Sequence, residues 1–454
     1  MERLHGVVQP HRMRRAAIAT LTVAWLAASP LDAQRGPDQG EPVAATGAEL
    51  SLGRLYTAAD SANPRIRAAE ARARAIEAQA LTSTRPPDPR VQIGWMNREL
   101  PGFAPMDPLG MTQLQLMQML PTAGKLRLAS RAARTRALGA DFRARDVAWD
   151  VRAEVAAAFY ELYRVERAVA IARETRQLME NVAAVADAMY RVGEAPQADV
   201  LRARVEVARM TEEIVVMEAM RQVALARLGG LLDQSFDDAT PPAALPLFPA
   251  ELPPHTDLEA AALVSRPMLL AGDAELAAAD ASRTLAYREL FPDVEIGLQY
   301  GQRAGAMGPE RMGSLMLGTS VPIFARQRQL PMRAEADAMR EMAAADLRAM
   351  RAETRALLGA AYAEWQRARN LQRLYRSTVL PQARASVEAA LASYRVGGVN
   401  LMTLLDNQAT VNRYEQELAA LEAMEGMALA ELEMLMGREL FDANRRADSP
   451  REQE

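Results

Sequence analysis

"YRVGEAPQADVL" occupies Tyr190–Leu201 and "YRVGGVNLMTLL" occupies Tyr394–Leu405, 204 residues further on. Each interrupts a long alanine-rich pattern with the same Tyr-Arg-Val-Gly corner. Outward from the corners the two halves continue to match. "NPRIRAAEARARAIEAQALTSTRPPDPRVQIG" from Asn63 runs parallel to "RPMLLAGDAELAAADASRTLAYRELFPDVEIG" from Arg266, at an offset of 203. Pro64 pairs with Pro267, Pro89 with Pro292, Val91 with Val294, Ile93 with Ile296 and Gly94 with Gly297. Downstream, "ALARLGGLL" from Ala224 echoes "ALAELEMLM" from Ala428. A period this long is a domain-scale duplication and not a solenoid repeat.

The chain divides accordingly. Residues 1–33 read as a secretory signal peptide: Arg12, Arg14 and Arg15, then "AAIATLTVAWLAAS", then a cleavage site after Ala33. Met13 is an alternative start. Residues 34–48 form a linker, 49–239 the first repeat, 240–256 a proline-rich linker, 257–440 the second repeat and 441–454 a polar tail. "TPPAALPLFPAELPP" is too rich in proline for helix or inner strand and is expected to run along the outside. The tail is expected to be disordered.

Each repeat reads as helix, β-hairpin, very long helix, corner and return helix. In the first, a helix from about Asn63 to Thr84 stops at "RPPDP", and the hairpin covers about 89–121. Val91, Ile93 and Trp95 alternate with Gln92, Gly94 and Met96. In the second hairpin, about 292–323, Val294, Ile296, Leu298 and Tyr300 oppose Glu295, Gly297, Gln299 and Gly301. Segments of about ten residues with one apolar and one small or polar face have the pattern of transmembrane β-strands. An ordinary soluble hairpin with one buried face shares that alternation. Trp95, Phe291, Tyr300 and Phe324 suit an interfacial aromatic girdle. Four strands cannot close a barrel in lipid, so the membrane reading requires several copies to pool their strands.

From Lys125 to Tyr190 there is no proline, and apolar positions step as Val147, Val151, Val155, Ala158, Leu162, Val165, Val169 and Ala172. That is a coiled-coil-like seam on a rod of roughly 100 Å. The second rod runs from about Met332 to Tyr394, with a kink expected at Pro381. Gly193 and Gly397 supply the φ > 0 residue that stops each rod. The tips span about 190–201 and 394–406.

Composition narrows the chemistry. With 54 basic and 58 acidic residues the net charge is −4, which leaves no electrostatic footprint for nucleic acid. There is no cysteine, so disulfides, thiolate metal sites and a lipidated N-terminal cysteine are excluded. Of three histidines, His5 and His11 fall in the signal segment, leaving His255 alone in a proline-rich stretch. No enzyme site and no cofactor is expected.

This ordered, duplicated set resembles the TolC-type outer-membrane efflux channel family over about residues 49–440. "PTAGKLRL" and "VPIF" after the two hairpins are similar to strand-to-helix junctions of its CzcC-like heavy-metal branch. The resemblance implies a mainly α fold with membrane β. Duplicated helical hairpins form an α-helical barrel, and four transmembrane strands per protomer complete a twelve-stranded β-barrel in a homotrimer. The implied partners are a periplasmic adaptor, an inner-membrane RND-type pump and outer-membrane lipid. The implied cargo is metal cations, with drugs or small organic molecules as the alternative. A periplasmic coiled-coil adaptor is the chief rival, though it should show one helical hairpin and lipoyl-like β segments.

The resemblance also places a periplasmic gate at the corners: Tyr190, Arg191, Gly193 and Asp199 in the first, Tyr394, Arg395, Gly397 and Asp406 in the second. A three-fold carboxylate ring there favours cations; the local alternative is an aspartate at a helix start. Where relatives carry a further acid and a clamping arginine, this chain has Thr403 and Val399. Met96, Met117, Met119 and Met316 fall on the lumenal side of the strands, where thioethers suit Cu(I) or Ag(I). Packing is the plainer reading of a chain with 25 methionines.

Overall fold

The computed structural model describes residues 49–106, 110–305 and 308–444. The expected signal peptide, the 34–48 linker and the tail beyond 444 lie outside the described residues. Each repeat opens with two helices where the sequence predicts one. In the first, α1 (Leu52–Ala62) ends at Asn63 and α2 (Pro64–Thr82) begins at once. In the second, α5 (His255–Ser265) ends at Arg266 and α6 (Pro267–Arg288) follows. The cause is the residue before each proline. Asn63 (φ −61°, ψ 122°) and Arg266 (φ −59°, ψ 122°) are pushed out of the helical region. Proline then starts the next helix, where no N–H is needed. Asn63 reinforces its break by accepting from Arg65 N at 2.8 Å and donating to Leu231 O at 2.7 Å. Helix α5 also claims His255 and Thr256, so the proline-rich linker is shorter than expected.

The strands are β1 (Arg90–Met96), two-residue β2 (Arg98–Glu99) and β3 (Ala104–Pro105), β4 (Met111–Leu120), β5 (Val294–Gly305) and β6 (Gly308–Thr319). The four long ones form one antiparallel sheet in the order β1-β4-β5-β6, two hairpins side by side. The register sets Ile93 opposite Leu114, Leu116 opposite Leu298, and Leu298 opposite Leu315. Val91, Ile93, Trp95, Leu114, Leu116, Leu298, Tyr300, Leu315 and Leu317 therefore share one face, and all are exposed. Gln92, Gln113, Gln115, Glu295, Gln299 and Ser314 share the other.

Below the sheet, α3 (Lys125–Arg191) is the 67-residue rod the periodicity predicts, and its Val151-to-Ala172 seam is buried. Beside the sheet end of α3 the packing order is α2, α3, α6, α7 (Gln329–Leu374). Towards the corners it is α4 (Gln197–Leu232), α3, α9 (Leu401–Met436), α8 (Leu380–Arg395). The second rod is α7 (Gln329–Leu374), a π-helical turn (Tyr375–Val379) and α8 (Leu380–Arg395). The kink expected at Pro381 is thus resolved as a π turn. Proline's ring clashes with the carbonyl four residues back, which is Ser377, inside that turn. Leu358, Trp365 and Gln372 are buried at seven-residue spacing, and the next such residue is Leu380, eight further on. The turn absorbs the extra residue.

Lys125, the chain's sole lysine, joins sheet to rods. Its buried ammonium lies 3.0 Å from Asp293 and 3.5 Å from Glu289, and donates to Phe291 O at 2.8 Å. The start of the first rod is thereby tied to the start of the second hairpin.

The main core gathers Leu52, Leu55, Tyr56, Phe159, Tyr160, Leu225 and Leu228. Contrary to the expected external path, the proline-rich segment packs Leu245 and Phe248 against it, and Leu50 bridges to Ala243. The tail begins folded rather than disordered: Phe441 lies edge-on to Phe248 at 6.0 Å. Glu433 holds that segment by accepting from Leu440 N at 2.6 Å and Phe441 N at 3.3 Å.

Two predictions follow from this core. A Cβ at Gly426 would fall within the buried Tyr160 ring, so Gly426→Ala should cost about 1–3 kcal/mol of stability by overpacking. Chemical unfolding followed by circular dichroism measures this. Burial pushes the Glu433 carboxyl up to about 7, against the pull of its two backbone donors and Arg152. The fold then holds a proton the unfolded chain releases, so stability falls as pH rises from about 4.5 towards 7 and stays lower above. Glu433→Gln keeps the acceptor oxygen and should remove that fall. Its gain at pH 8 should be at most about 3 kcal/mol, with none at pH 4.

Candidate functional site

Both corners end their rods the same way. Gly193 (φ +81°) and Gly397 (φ +73°) are left-handed. Glu194 N donates to Met189 O at 2.9 Å and Gly193 N to Tyr190 O at 3.0 Å. In the second corner Gly398 N donates to Ser393 O at 2.8 Å and Gly397 N to Tyr394 O at 3.0 Å. These are paired Schellman bonds, the geometry expected of a glycine stop. The structure brings the two corners together. Met179, Val182, Met189 and Ala203 of the first hairpin share a cluster with Val387, Ala390, Tyr394, Leu401 and Leu404 of the second.

The matched side chains part company there. Tyr190 is 45 % exposed and Tyr394 only 2 %. The Tyr394 hydroxyl has no hydrogen-bond partner among the described residues. Burial first, then the nearby Asp199 carboxylate, push its pKa above the ordinary phenol range. Arg191 pairs with Asp187, which Arg204 also approaches at 3.7 Å; Arg395 is exposed. Asp199 lies in the first turn of α4, where a helix dipole favours it. Asp406 is exposed and beyond the first turn of α9, so that explanation does not reach it. Thr403 is occupied in capping: its N and Oγ1 contact Asn400 Oδ1 at 2.9 and 3.0 Å. Val399 packs against the shared cluster.

The register puts Met96, Met117, Met119 and Met316 on the polar face of the sheet, beside Glu295, Gln113 and Gln115. Met111 and Met312, which the sequence reading left out, join them: Met96 pairs with Met111, and Met312 with Gly301. Their signal was strand parity. Gly297 and Gly301 leave the space these thioethers occupy, since a Cβ at Gly301 would lie 2.8 Å from Met111 Sδ. Gln115 reaches Met316 Sδ at 3.9 Å.

Among the described residues no cluster of three or more histidine, cysteine or acidic side chains could hold a metal. His255 opens α5 and lies edge-on to Tyr362 at 5.6 Å, a packing role. No described helix is long and apolar enough to cross a membrane.

The family model for outer membrane efflux proteins matches residues 55–233 and 258–438, one copy per repeat. The chain belongs to the outer membrane efflux protein family. It is accordingly a transport protein and not an enzyme. A curated relative, the pyoverdine export outer membrane protein OpmQ of Pseudomonas putida, is 25% identical over 315 residues. That match spans 65% of this chain and 62% of the relative's length. The fold is that of the solved channel protein CusC (TM-score 0.72, 17% identity, 86% of this chain and 92% of that one). It is equally that of the outer membrane protein VceC of Vibrio cholerae (TM-score 0.73, 17% identity, 86% and 97%).

The lone hydroxyl at Tyr394 yields a prediction. Tyr394→Phe removes a buried polar group without a partner in the chain, so stability should stay level or rise by about 1 kcal/mol. A loss of more than that in thermal unfolding would mean that the hydroxyl is hydrogen-bonded after all.

Proposed function

We propose that this protein is the outer-membrane duct of a tripartite efflux system, a homotrimer that conducts cargo from periplasm to exterior without doing chemistry on it. The observation that carries this is the sheet. Its apolar face is largely exposed while its polar face carries glutamines, a glutamate and glycines, the reverse of a soluble hairpin with a buried apolar side. β1 and β6 each keep an open edge. Three copies pooling twelve strands close a barrel and remove those edges from lipid.

The helical layer supports the same assembly. α4, at one edge of the layer, exposes Leu201, Val205, Val215 and Val223 on one stripe. At the opposite edge α7 exposes Ala338, Ala345 and Ala352 at seven-residue spacing, small enough for a neighbouring helix to approach closely. In this reading the corner ends of the rods meet a periplasmic adaptor, and an inner-membrane RND-type pump supplies the energy.

The cargo favoured by the wall chemistry is a metal cation, as in the heavy-metal branch. Acidic side chains at the tips and thioethers on the polar face of the sheet support it. A second reading, export of a small organic molecule, is favoured by the likeness to a pyoverdine exporter.

Purified protein in a planar lipid bilayer should give stepwise, cation-selective conductance, and a silent preparation overturns the duct. Replacing Asp199 and Asp406 together by alanine should lower the permeability ratio of potassium over chloride several-fold. An unchanged ratio would remove these two aspartates from the conducting path.

A further inference from the structure

A cavity of about 540 Å³ lies between α6 and α7, beside α3. Five methionines line it: Met268 from α6 and Met332, Met339, Met342 and Met350 from α7. The face it opens on follows from helix arithmetic. α5 packs on α7 through Leu358 and Ala361, and Glu259 of α5 pairs with Arg355 at 2.9 Å. Counting back by sevens from Leu358 gives Arg351, Ala344 and Asp337, and Arg351 and Asp337 pair with α6 along that side. Met339 is two residues beyond Asp337, about 200° round the helix. On α3 the same holds. Arg152 stacks on Tyr56 of α1 at 4.6 Å, and sevens back lead to Arg145 and Leu138. The cavity residues Arg143 and Arg136 stand two before each. The methionines therefore occupy the face opposite the one that carries α1 and α5.

In the duct reading, on which this inference rests, the face with the extra helices is the outer one, so the cavity opens on the bore. Met339 and Met342 are 51 % and 54 % exposed, which is not how a thioether filling a core gap behaves. Glu335 and Asp346 flank them one turn away on either side, and neither has an ion pair in the described structure. Of the two arginines on the cavity wall, Arg143 is paired with Glu275 at 3.0 Å, and Arg136 keeps its charge while donating to Ser282 Oγ at 2.9 Å. Gly272 opens the floor, since a Cβ there would lie 3.3 Å from Met350 Cε. A separate observation points the same way. All six methionines of the four long strands sit on the sheet's polar face, and none on the apolar face.

We propose that this cavity is a binding station on the bore wall for a soft monovalent cation of the Cu(I) or Ag(I) type. The Met339 and Met342 thioethers would be its ligands, and Glu335 and Asp346 would balance the charge. Soft sulfur donors select such ions over hard ones, and a chain without cysteine has no thiolate to compete. The unbranched methionine stem allows ligands to close on an ion and release it, as a transit site requires.

The test uses the full protein in detergent and silver nitrate alone, in chloride-free buffer. Bound silver is counted by equilibrium dialysis and mass spectrometry. Met339→Leu with Met342→Leu conserves volume and should remove about one silver per chain, or weaken that site at least tenfold. Met402→Leu, an exposed methionine at the tip, should leave it in place. Equal silver binding by the double variant and the unsubstituted chain overturns the proposal. So does cobalt binding at the same site with matching affinity. Bilayer conductance on the same preparation separates the two readings. A conducting protein whose silver binding ignores the double substitution keeps the duct and loses the station. A silent protein whose silver site vanishes in the variant keeps the station and loses the duct.

Discussion

The outer edges of β1 and β6 carry backbone N–H and C=O groups that no other described strand pairs. In lipid each such group costs several kcal/mol, far more than any side-chain contact in the molecule returns. Much else in the fold answers to that constraint. The hairpin is duplicated, so one chain brings four strands instead of two. β4 and β5 pair across the repeats, which removes two of the four edges the hairpins would otherwise expose. The helical layer then ends in apolar stripes at both sides, so that in the proposed trimer the contact closing the sheet would also cover these stripes.

Duplication alone would give two equal halves, and the joint at Lys125 shows that they are not. A buried ammonium costs several kcal/mol to desolvate, which only close anionic partners offset. Asp293 and Glu289 provide them, both from the second repeat. At the offset of 203 that the hairpins keep, the second rod has Arg328 in that place, exposed rather than buried, so the arrangement is not repeated. The two hairpins are thus clamped in one direction only, from the first rod to the second strand pair.

How much of this was legible depended on whether a signal was periodic. The repeat, the hairpins, the rods and the faces of the strands follow from spacings of two and seven, which tertiary structure preserved. The breaks at Asn63 and Arg266 were visible as Pro64 and Pro267, yet reading them required weighing the residue before the proline. The proline-rich segment misled because proline excludes regular structure without excluding burial: Leu245 and Phe248 pack inward all the same. At the candidate gate the glycine stops were legible, and the different fates of Tyr190 and Tyr394 were not. The methionine-lined cavity was beyond reach, since its walls come from three helices that no local period links.

The buried place of Tyr394 traces to the π turn. On an unbroken seven-residue frame the inner positions after Gln372 would be Val379, Ser386 and Ser393, and Tyr394 would be rotated off that frame. With one residue looped into the turn they become Leu380, Val387 and Tyr394, all buried. The identity of the side chain that the second corner shows its neighbours is therefore decided some twenty residues away, by a phase error in the helix. Tyr190 keeps the corresponding frame of Val155, Leu162 and Val169 without any such turn and is exposed all the same, so a trimer built from the two tips would alternate two kinds of contact around its rim.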